Sequence, residues 1–234
     1  MTRIDGPAVE PLKGDVNKLV IFCHGYGADG NDLINLANYF QPVLPDALFI
    51  SPNAPEKCAM NPFGYQWFDF QSGDPASIWK GVLNAADTLN SFIDDQLKKY
   101  NLTDKDLALV GFSQGTMMSL HVGLRRSQAM AGIIGFSGKL IAGDLLKDEM
   151  KSKPPIYLIH GDADPMVPYQ ETIEAEKILN KFEVDVQSHI SPNTPHSIAQ
   201  DGLEIAITFL KEKFEINKRY IFLNFFLFCI YLYA

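Results

Sequence analysis

Six short apolar runs punctuate the chain, at Lys18–Cys23, Ala47–Ile50, Leu107–Gly111, Gly132–Phe136, Ile156–His160 and Val184–Ile190. The first five are almost continuously apolar, the pattern of strands buried on both faces of a largely parallel sheet. The sixth alternates, with Val184, Val186 and Ile190 on one side and Asp185, Gln187 and His189 on the other, which predicts a strand nearer the sheet edge with one wetter face. Between the runs the period lengthens. From Ser77 to Tyr100 the residues Ile78, Val82, Ala86, Leu89, Ile93 and Leu97 recur at steps of three or four, lining one face of a helix. Further helices are predicted at Asn31–Phe40, Gln114–Arg125, Tyr169–Lys181 and Ser197–Phe214. Strands alternating with helices build βαβ units with right-handed crossovers, so the pattern predicts an α/β fold: a doubly wound, mostly parallel central sheet with helices on both faces. No internal repeat or low-complexity linker interrupts it before residue 217.

One long stretch, Ser51 to Ser77, carries neither period. It holds Phe63, Tyr65, Trp67, Phe68 and Phe70 among four prolines. Unpatterned loops of this length are uncommon in compact domains and usually serve as lids or binding loops. Two compatible readings stand: a functional loop, or aromatics that pin an insertion onto the sheet edge.

A chain of 234 residues, 47% hydrophobic and 21% charged, has the size and composition of one soluble α/β domain with a sizeable core. Twenty Lys and Arg against 28 Asp and Glu give a formal net charge of −8. With no basic run longer than Lys218-Arg219, no nucleic-acid partner is expected. Cys23, Cys58 and Cys229 are odd in number, far apart and without CxxC spacing, which argues against a disulfide framework or zinc knuckle and for a reducing, cytoplasmic setting. The N-terminal Met1-Thr-Arg-Ile-Asp-Gly-Pro7 has no apolar core of the kind a cleaved secretory signal needs. Spacings such as HExxH are absent, so no metal site is expected.

Gly111-Phe-Ser-Gln-Gly115 is a G-x-S-x-G match after a predicted strand and before a predicted helix, the context this motif needs. The tight turn strains the serine backbone, and the flanking glycines relieve crowding that a Cβ would create. Ser113 is the candidate nucleophile, backed by a helix N-terminus that favours developing negative charge. A serine hydroxyl hardly ionises at neutral pH and needs a base; in this arrangement the order is Ser, then Asp or Glu, then His, on loops after later strands. His196, in Ser191-Pro-Asn-Thr-Pro-His-Ser197 before the last helix, is the candidate general base. His189 reads as a solvated strand residue, and His24, His121 and His160 read as structural, with His24 placed to brace the neighbouring loop. An acid must fix the imidazole tautomer and stabilise the imidazolium. His160-Gly-Asp-Ala-Asp-Pro-Met-Val-Pro168 offers Asp162 and Asp164. Asp162 lies close enough to the strand end to be engaged in turn hydrogen bonds, so spacing prefers Asp164 without eliminating Asp162.

Cys23-His-Gly-Tyr-Gly-Ala-Asp-Gly30 follows the first strand. Acyl transfer needs backbone N–H groups aimed at the tetrahedral oxyanion, one from the residue after the nucleophile and one from an early Gly-rich loop. Gln114 and Tyr26 are the candidates. The same loop spells Gly25-x-Gly27-x-x-Gly30, a formal dinucleotide fingerprint, which requires an acidic residue about 20 positions on, at the end of the second strand. Asp46 precedes that strand and Ser51-Pro-Asn53 offers no carboxylate, so a dinucleotide-binding oxidoreductase is the weaker alternative.

Together these residues resemble the phospholipase/carboxylesterase family of α/β-hydrolases, which includes the acyl-protein thioesterases. The resemblance spans about Gly6 to Phe214, carried by His24-Gly-Tyr-Gly27, Ser51-Pro-Asn-Ala-Pro55, Gln66-Trp-Phe-Asp69, Gly111-Phe-Ser-Gln-Gly115, the segment 160–168 and Pro195-His-Ser197. It implies an α/β-hydrolase fold without a large helical lid, a triad of Ser113, Asp164 and His196, and oxyanion N–H groups from Tyr26 and Gln114, selecting Asp164 over Asp162. The implied activity is that of a serine hydrolase cleaving short- to medium-chain carboxylic esters, acyl thioesters or lysophospholipids through an acyl-enzyme, with no cofactor. Phe63, Trp67, Phe68 and Met166 would then wall the acyl site. The implied partner is a small-molecule acyl ester or an acylated protein, and the enzyme a monomer or homodimer. The alternative from another class is a catalytically inactive hydrolase-fold ligand-binding protein, against which stands the presence of all three triad members.

The domain is assigned to residues 1–215, leaving a hydrophobic tail, 216–234. From Tyr220 onward the tail holds four of the 16 Phe and three of the nine Tyr. As a helix those fifteen residues span roughly 22 Å, short of the ~30 Å hydrocarbon core, so no stable membrane span is expected. Peripheral membrane contact behind Lys218-Arg219 stays open, although the tail lacks a polar helical face. The A/T-rich codons of its residues make a read-through product the preferred reading.

Overall fold

The computed structural model describes residues 3–71 and 73–231, with the side chains after residue 215 outside the description. Buried backbone N–H and C=O groups must find partners, and the apolar runs find them in one another. The strands in chain order are β1 (Ala8–Val9), β2 (Lys18–Cys23), β3 (Ala47–Ile50), β4 (Glu56–Lys57), β5 (Tyr65–Gln66), β6 (Leu107–Phe112), β7 (Gly132–Phe136), β8 (Ile156–Gly161) and β9 (Val186–Ser191). Seven of them form one sheet in the order β1-β3-β2-β6-β7-β8-β9, and β4 and β5 pair separately. All contacts in the large sheet are parallel except β1 against β3. The alternating run is indeed an edge strand, β9. The two-residue β1 was not predicted, because it is too short to show any period.

The helices are α1 (Gly30–Ile34), α2 (Ala37–Phe40), α3 (Pro75–Tyr100), α4 (Gln114–Gly123), α5 (Leu146–Glu149), α6 (Gln170–Lys181) and α7 (Gln200–Tyr231). Alternate residues of the strands feed two cores. Leu19, Ile21 and Cys23 of β2 join Leu89 and Ile93 of α3, Met118 of α4 and Leu179 of α6. Val20 and Phe22 join Phe40 of α2 and Phe209 and Leu210 of α7 on the other face. This is the α/β-hydrolase arrangement the sequence predicts, and the large insertion 51–77 holds a short hairpin instead of a helical lid.

Several helix boundaries differ from expectation, two of them for local reasons. The predicted helix 31–40 breaks into α1 and α2, where Leu36, Asn38 and Tyr39 donate to carbonyls three residues back, a tighter winding than the α-helix. α3 begins two residues early because Asp74 caps it by accepting from Ala76 and Ser77, and Pro75 sits at its first position, where a missing N–H costs nothing. α7 runs on to Tyr231 instead of ending at Phe214. Phe214 is 3% exposed in the second core. Residues 232–234 and every side chain of the expected tail lie outside the described residues. Among the described residues no helix is long and apolar enough to cross a membrane.

The sheet positions α4 by steric necessity. A Cβ on Gly115 would stand 1.8 Å from the carbonyl oxygen of Cys23 and 2.7 Å from that of His24, and one on Gly111 2.5 Å from the backbone of Thr116. These are backbone atoms that cannot swing aside. Gly115→Ala is expected to lower stability by about 3 kcal/mol through overpacking, read as a drop in the urea midpoint with an unchanged slope.

Candidate active site

At the junction of β6 and α4, Ser113 adopts φ 54° and ψ −115°. Such a conformation costs a non-glycine residue on the order of 1–3 kcal/mol and persists only where the surroundings over-determine it. The surroundings are specific. Ser113 N–H donates to Phe136 O at 2.8 Å, the Thr116 hydroxyl donates to the same carbonyl at 2.8 Å, and Thr116 N–H returns to Ser113 O at 3.0 Å. The end of β7 thus locks the turn that lifts Ser113 out of the sheet.

Two later loops bring Asp164 and His196 together. His196 Nδ1 lies 2.6 Å from Asp164 Oδ2, while Asp164 Oδ1 accepts from the N–H groups of Met166 at 2.8 Å and Val167 at 2.9 Å. The Asp164 side chain is fully buried and that of His196 is 20% exposed. Burial alone would raise the Asp164 carboxyl; the Val167 N–H, the His196 imidazole and the Met166 N–H outweigh it and hold the group below the usual carboxylate range. Asp162 is instead a turn residue, accepting from Thr194 N–H at 3.3 Å, which is the geometric reason Asp164 and not Asp162 meets the imidazole. The His196 ring lies 4.9 Å from that of Phe112, the residue before Ser113. No hydrogen bond joins Ser113 Oγ to His196 among the described residues.

The loop after β2 packs beside the serine: a Cβ on Gly25 would lie 3.5 Å from Ser113 Cβ. His24 braces it. Its Nε2 accepts from Ala54 N–H at 2.9 Å, so its proton sits on Nδ1, 2.7 Å from Gly25 O. Burial lowers the imidazole pKa and keeps the ring neutral. Insertion 51–77 holds the rest of the loop: Gly27 N–H donates to Tyr65 O, Tyr65 N–H to Ala28 O, Asn61 Nδ2 to Gly27 O, and Gly30 N–H to Asn53 Oδ1. The Tyr26 ring lies 4.5 Å from that of Phe70, and burial, with Cys58 beside it, pushes the phenol up to about 12. This stitching also disposes of the dinucleotide reading. The N–H groups of Gly27 and Gly30 are already bonded within the protein, and Asp46 pairs with the buried Lys18.

The other histidines lie elsewhere. His189 and Ser191 both bond Asp201, joining β9 to α7. His121 is buried against Trp79, and burial lowers its pKa to about 4. Among the described residues no cluster of His, Cys, Asp or Glu could hold a metal ion.

The structure gives Gln114 a further role through its side chain and buries Trp67 and Phe68. The Gln114 amide is buried; its oxygen accepts from Trp67 N–H at 2.8 Å and its nitrogen donates to Phe68 O at 2.7 Å. Trp67, with 0% exposure, and Phe68, with 4%, are buried. Trp67 is turned inward, where its indole N–H donates to His24 O at 3.0 Å. Phe63 and Met166 are 87% and 73% exposed. The G-x-S-x-G spacing carries no signal for the Gln114 contact, because the partners are main-chain atoms 46 and 47 positions away. Gln114→Leu leaves both backbone groups unpaired at about 1–3 kcal/mol each. The expected outcome is faster amide exchange at Trp67 together with a lower melting temperature; unchanged protection at Trp67 would contradict it.

The chain is similar to known proteins over most of its length. The sequence profile of the phospholipase/carboxylesterase family matches residues 4–214. Esterase YpfH of Escherichia coli is 27% identical over 87% of this chain and 85% of its own length. Acyl-protein thioesterase 1 of Saccharomyces cerevisiae is 29% identical over 82% of this chain and 91% of its own. The crystal structure of esterase PE8 superposes with a TM-score of 0.86 at 42% identity, covering 90% of this chain and 99% of that one. Taken with the strained serine turn on a mostly parallel sheet, these matches show that the chain belongs to the phospholipase/carboxylesterase family of α/β-hydrolases and is a hydrolase like the carboxylesterases and acyl-protein thioesterases.

Proposed function

We propose that the chain hydrolyses carboxylic esters, or the corresponding acyl thioesters, through an acyl-enzyme on Ser113. The observation that carries the reading is the strained Ser113 backbone at the head of α4, flanked by an imidazole whose Nδ1 is held by a buried carboxylate. In the mechanism His196 takes the hydroxyl proton as Ser113 attacks the acyl carbon, and Asp164 stabilises the imidazolium and holds its orientation. The tetrahedral oxyanion is received by the N–H groups of Gln114 and Tyr26, each such donor being worth ~3 kcal/mol in the transition state. His196 then returns the proton to the leaving alcohol or thiol, and water repeats the sequence to release the acid. The absent Ser113–His196 hydrogen bond is consistent with this, since catalytic bonds are often long or misaligned before substrate binds.

The exposed apolar side chains Phe63 and Met166, on the loops that flank Tyr26 and Asp164, together with Trp67 and Phe68, are the residues proposed to receive short- to medium-chain acyl groups. Small-molecule esters and acylated proteins are the substrate classes, as the names of the esterase and thioesterase relatives suggest. No step requires a cofactor. The catalytic domain is residues 1–215.

A fluorophosphonate probe is expected to label the protein at Ser113, and Ser113→Ala to abolish both labelling and turnover of p-nitrophenyl esters. Labelling of the Ala variant would refute the assignment, and a chain-length series run beside an acyl thioester defines the acyl preference. Truncation after Glu215 is expected to leave kcat/KM for such an ester unchanged; loss of activity in the folded, truncated protein would place residues 216–234 within the catalytic unit.

A further inference from the structure

His160, near the end of β8, closes a ring of contacts around Asp164 that a three-residue triad does not require. Its side chain is fully buried and both ring nitrogens are engaged. Nδ1 lies 2.8 Å from the Thr172 hydroxyl of α6; Nε2 lies 2.9 Å from Val167 O and 3.2 Å from Asp164 Oδ2. These partners fix the proton. A backbone carbonyl and a carboxylate only accept, so Nε2 carries the hydrogen. Burial holds the imidazole pKa down, against the opposing pull of Val167 O and Asp164 and with a like-charge contribution from His196, so the ring is neutral and Nδ1 accepts from Thr172. Val167 completes the ring by donating its N–H to Asp164 Oδ1. The oxygen facing His160 is the same Oδ2 that receives His196 Nδ1.

Resting on the triad reading above, we propose that His160 is a positioning residue whose Nε2–H, donated to Val167 O and set 3.2 Å from Asp164 Oδ2, fixes the rotation of the Asp164 carboxylate and tempers the charge it presents to His196. Packing alone does not account for it: an apolar side chain fills a buried site without the desolvation cost of an imidazole, which is tolerated only when its nitrogens are bonded. The arrangement constrains Asp164 from three sides, with loop N–H groups on Oδ1 and one histidine on either side of Oδ2. Small losses of such orientation are costly, a displacement of about 1 Å being enough to lower the rate ~100-fold.

Two amide replacements with the same functional group and different reach test this. The amide nitrogen of His160→Gln comes close to the position of Nε2, while that of His160→Asn stops near Nδ1, facing Thr172. His160→Asn is expected to lower kcat about tenfold or more with little change in KM. It should also move the acid limb of kcat/KM to higher pH, because a carboxylate that has lost a neighbouring N–H dipole holds an imidazolium more strongly. His160→Gln is expected to restore most of kcat and return the limb toward its original position. Identical pH profiles and kcat for the two variants overturn the proposal. The wild-type chain supplies an independent reading that does not depend on any variant folding. In 15N-histidine NMR, His160 is expected as the neutral Nε2–H tautomer near pH 7, roughly where an unperturbed histidine begins to charge; a protonated ring or the Nδ1–H tautomer overturns it. Ser113→Ala and Asp164→Asn run in parallel separate the two levels. If either turns over like the wild type, the triad reading fails; if both are inactive while Gln and Asn at 160 behave alike, only the role of His160 fails.

Discussion

The contact between the start of α4 and the carboxyl end of β2 leaves no space for a side chain, and the site follows from that constraint. Gly115 packs against the Cys23 and His24 carbonyls, and Gly111 against the backbone of Thr116. With helix and strand this close, the one residue left between β6 and α4 must take a positive φ, and Ser113 takes it. The strain is held by bonds from the neighbouring strand, since Phe136 O accepts from both Ser113 N–H and the Thr116 hydroxyl. A serine fixed in this way needs no rearrangement to be presented at the sheet edge, which is the physical content of preorganisation.

The same economy governs the loop proposed to hold the oxyanion. A Gly-rich loop after β2 is entropically free by itself, yet here it is laced to insertion 51–77 through Gly27, Ala28 and Gly30 and through the His24 imidazole. Gln114 ties the other end of the insertion to the serine turn. The serine turn, the loop after β2 and insertion 51–77 are thus tied together, so the insertion acts as a buttress for that loop. Its buried members, Trp67 and Phe68, stiffen this buttress, and its exposed members, Phe63 and Phe70, face outward.

What the sequence revealed and what it hid divide along the same physical line. Patterns generated by the chain against itself were legible: the apolar runs of β2, β3, β6, β7 and β8, the one-sided face of α3, the alternating edge strand β9, and the glycine–serine turn whose strain demands its own neighbours. The choice of Asp164 over Asp162 was only half legible from spacing, because it depends on which carboxylate the distant Thr194 N–H captures. Contacts between side chains and remote main-chain atoms left no periodic trace. The Gln114 amide, the inward turn of Trp67, the two-residue β1 and the break between α1 and α2 belong to that class. The start of α3 at Pro75 was legible in principle, since Asp74-Pro75 is a cap followed by a first-turn proline.

Burial sorts the five histidines more sharply than sequence position does. A proton shuttle must alternate between charged and neutral forms, and a ring deep in the core resists the charged one. His24, His121 and His160 are each buried at 2% exposure or less, and burial lowers the pKa of all three. His24 and His160 have their ring nitrogens committed to fixed partners, and His121 sits against Trp79 with Arg125 and Glu149 as its charged neighbours. His189 keeps solvent contact but bonds Asp201 at the outer edge of the sheet. Only His196 among the five combines a buried carboxylate on one nitrogen, partial exposure and a ring contact with the residue next to Ser113. That combination is what the role proposed for His196 requires. It arises because Asp164 is buried and multiply bonded, so that the imidazole it holds can stay partly open to the site.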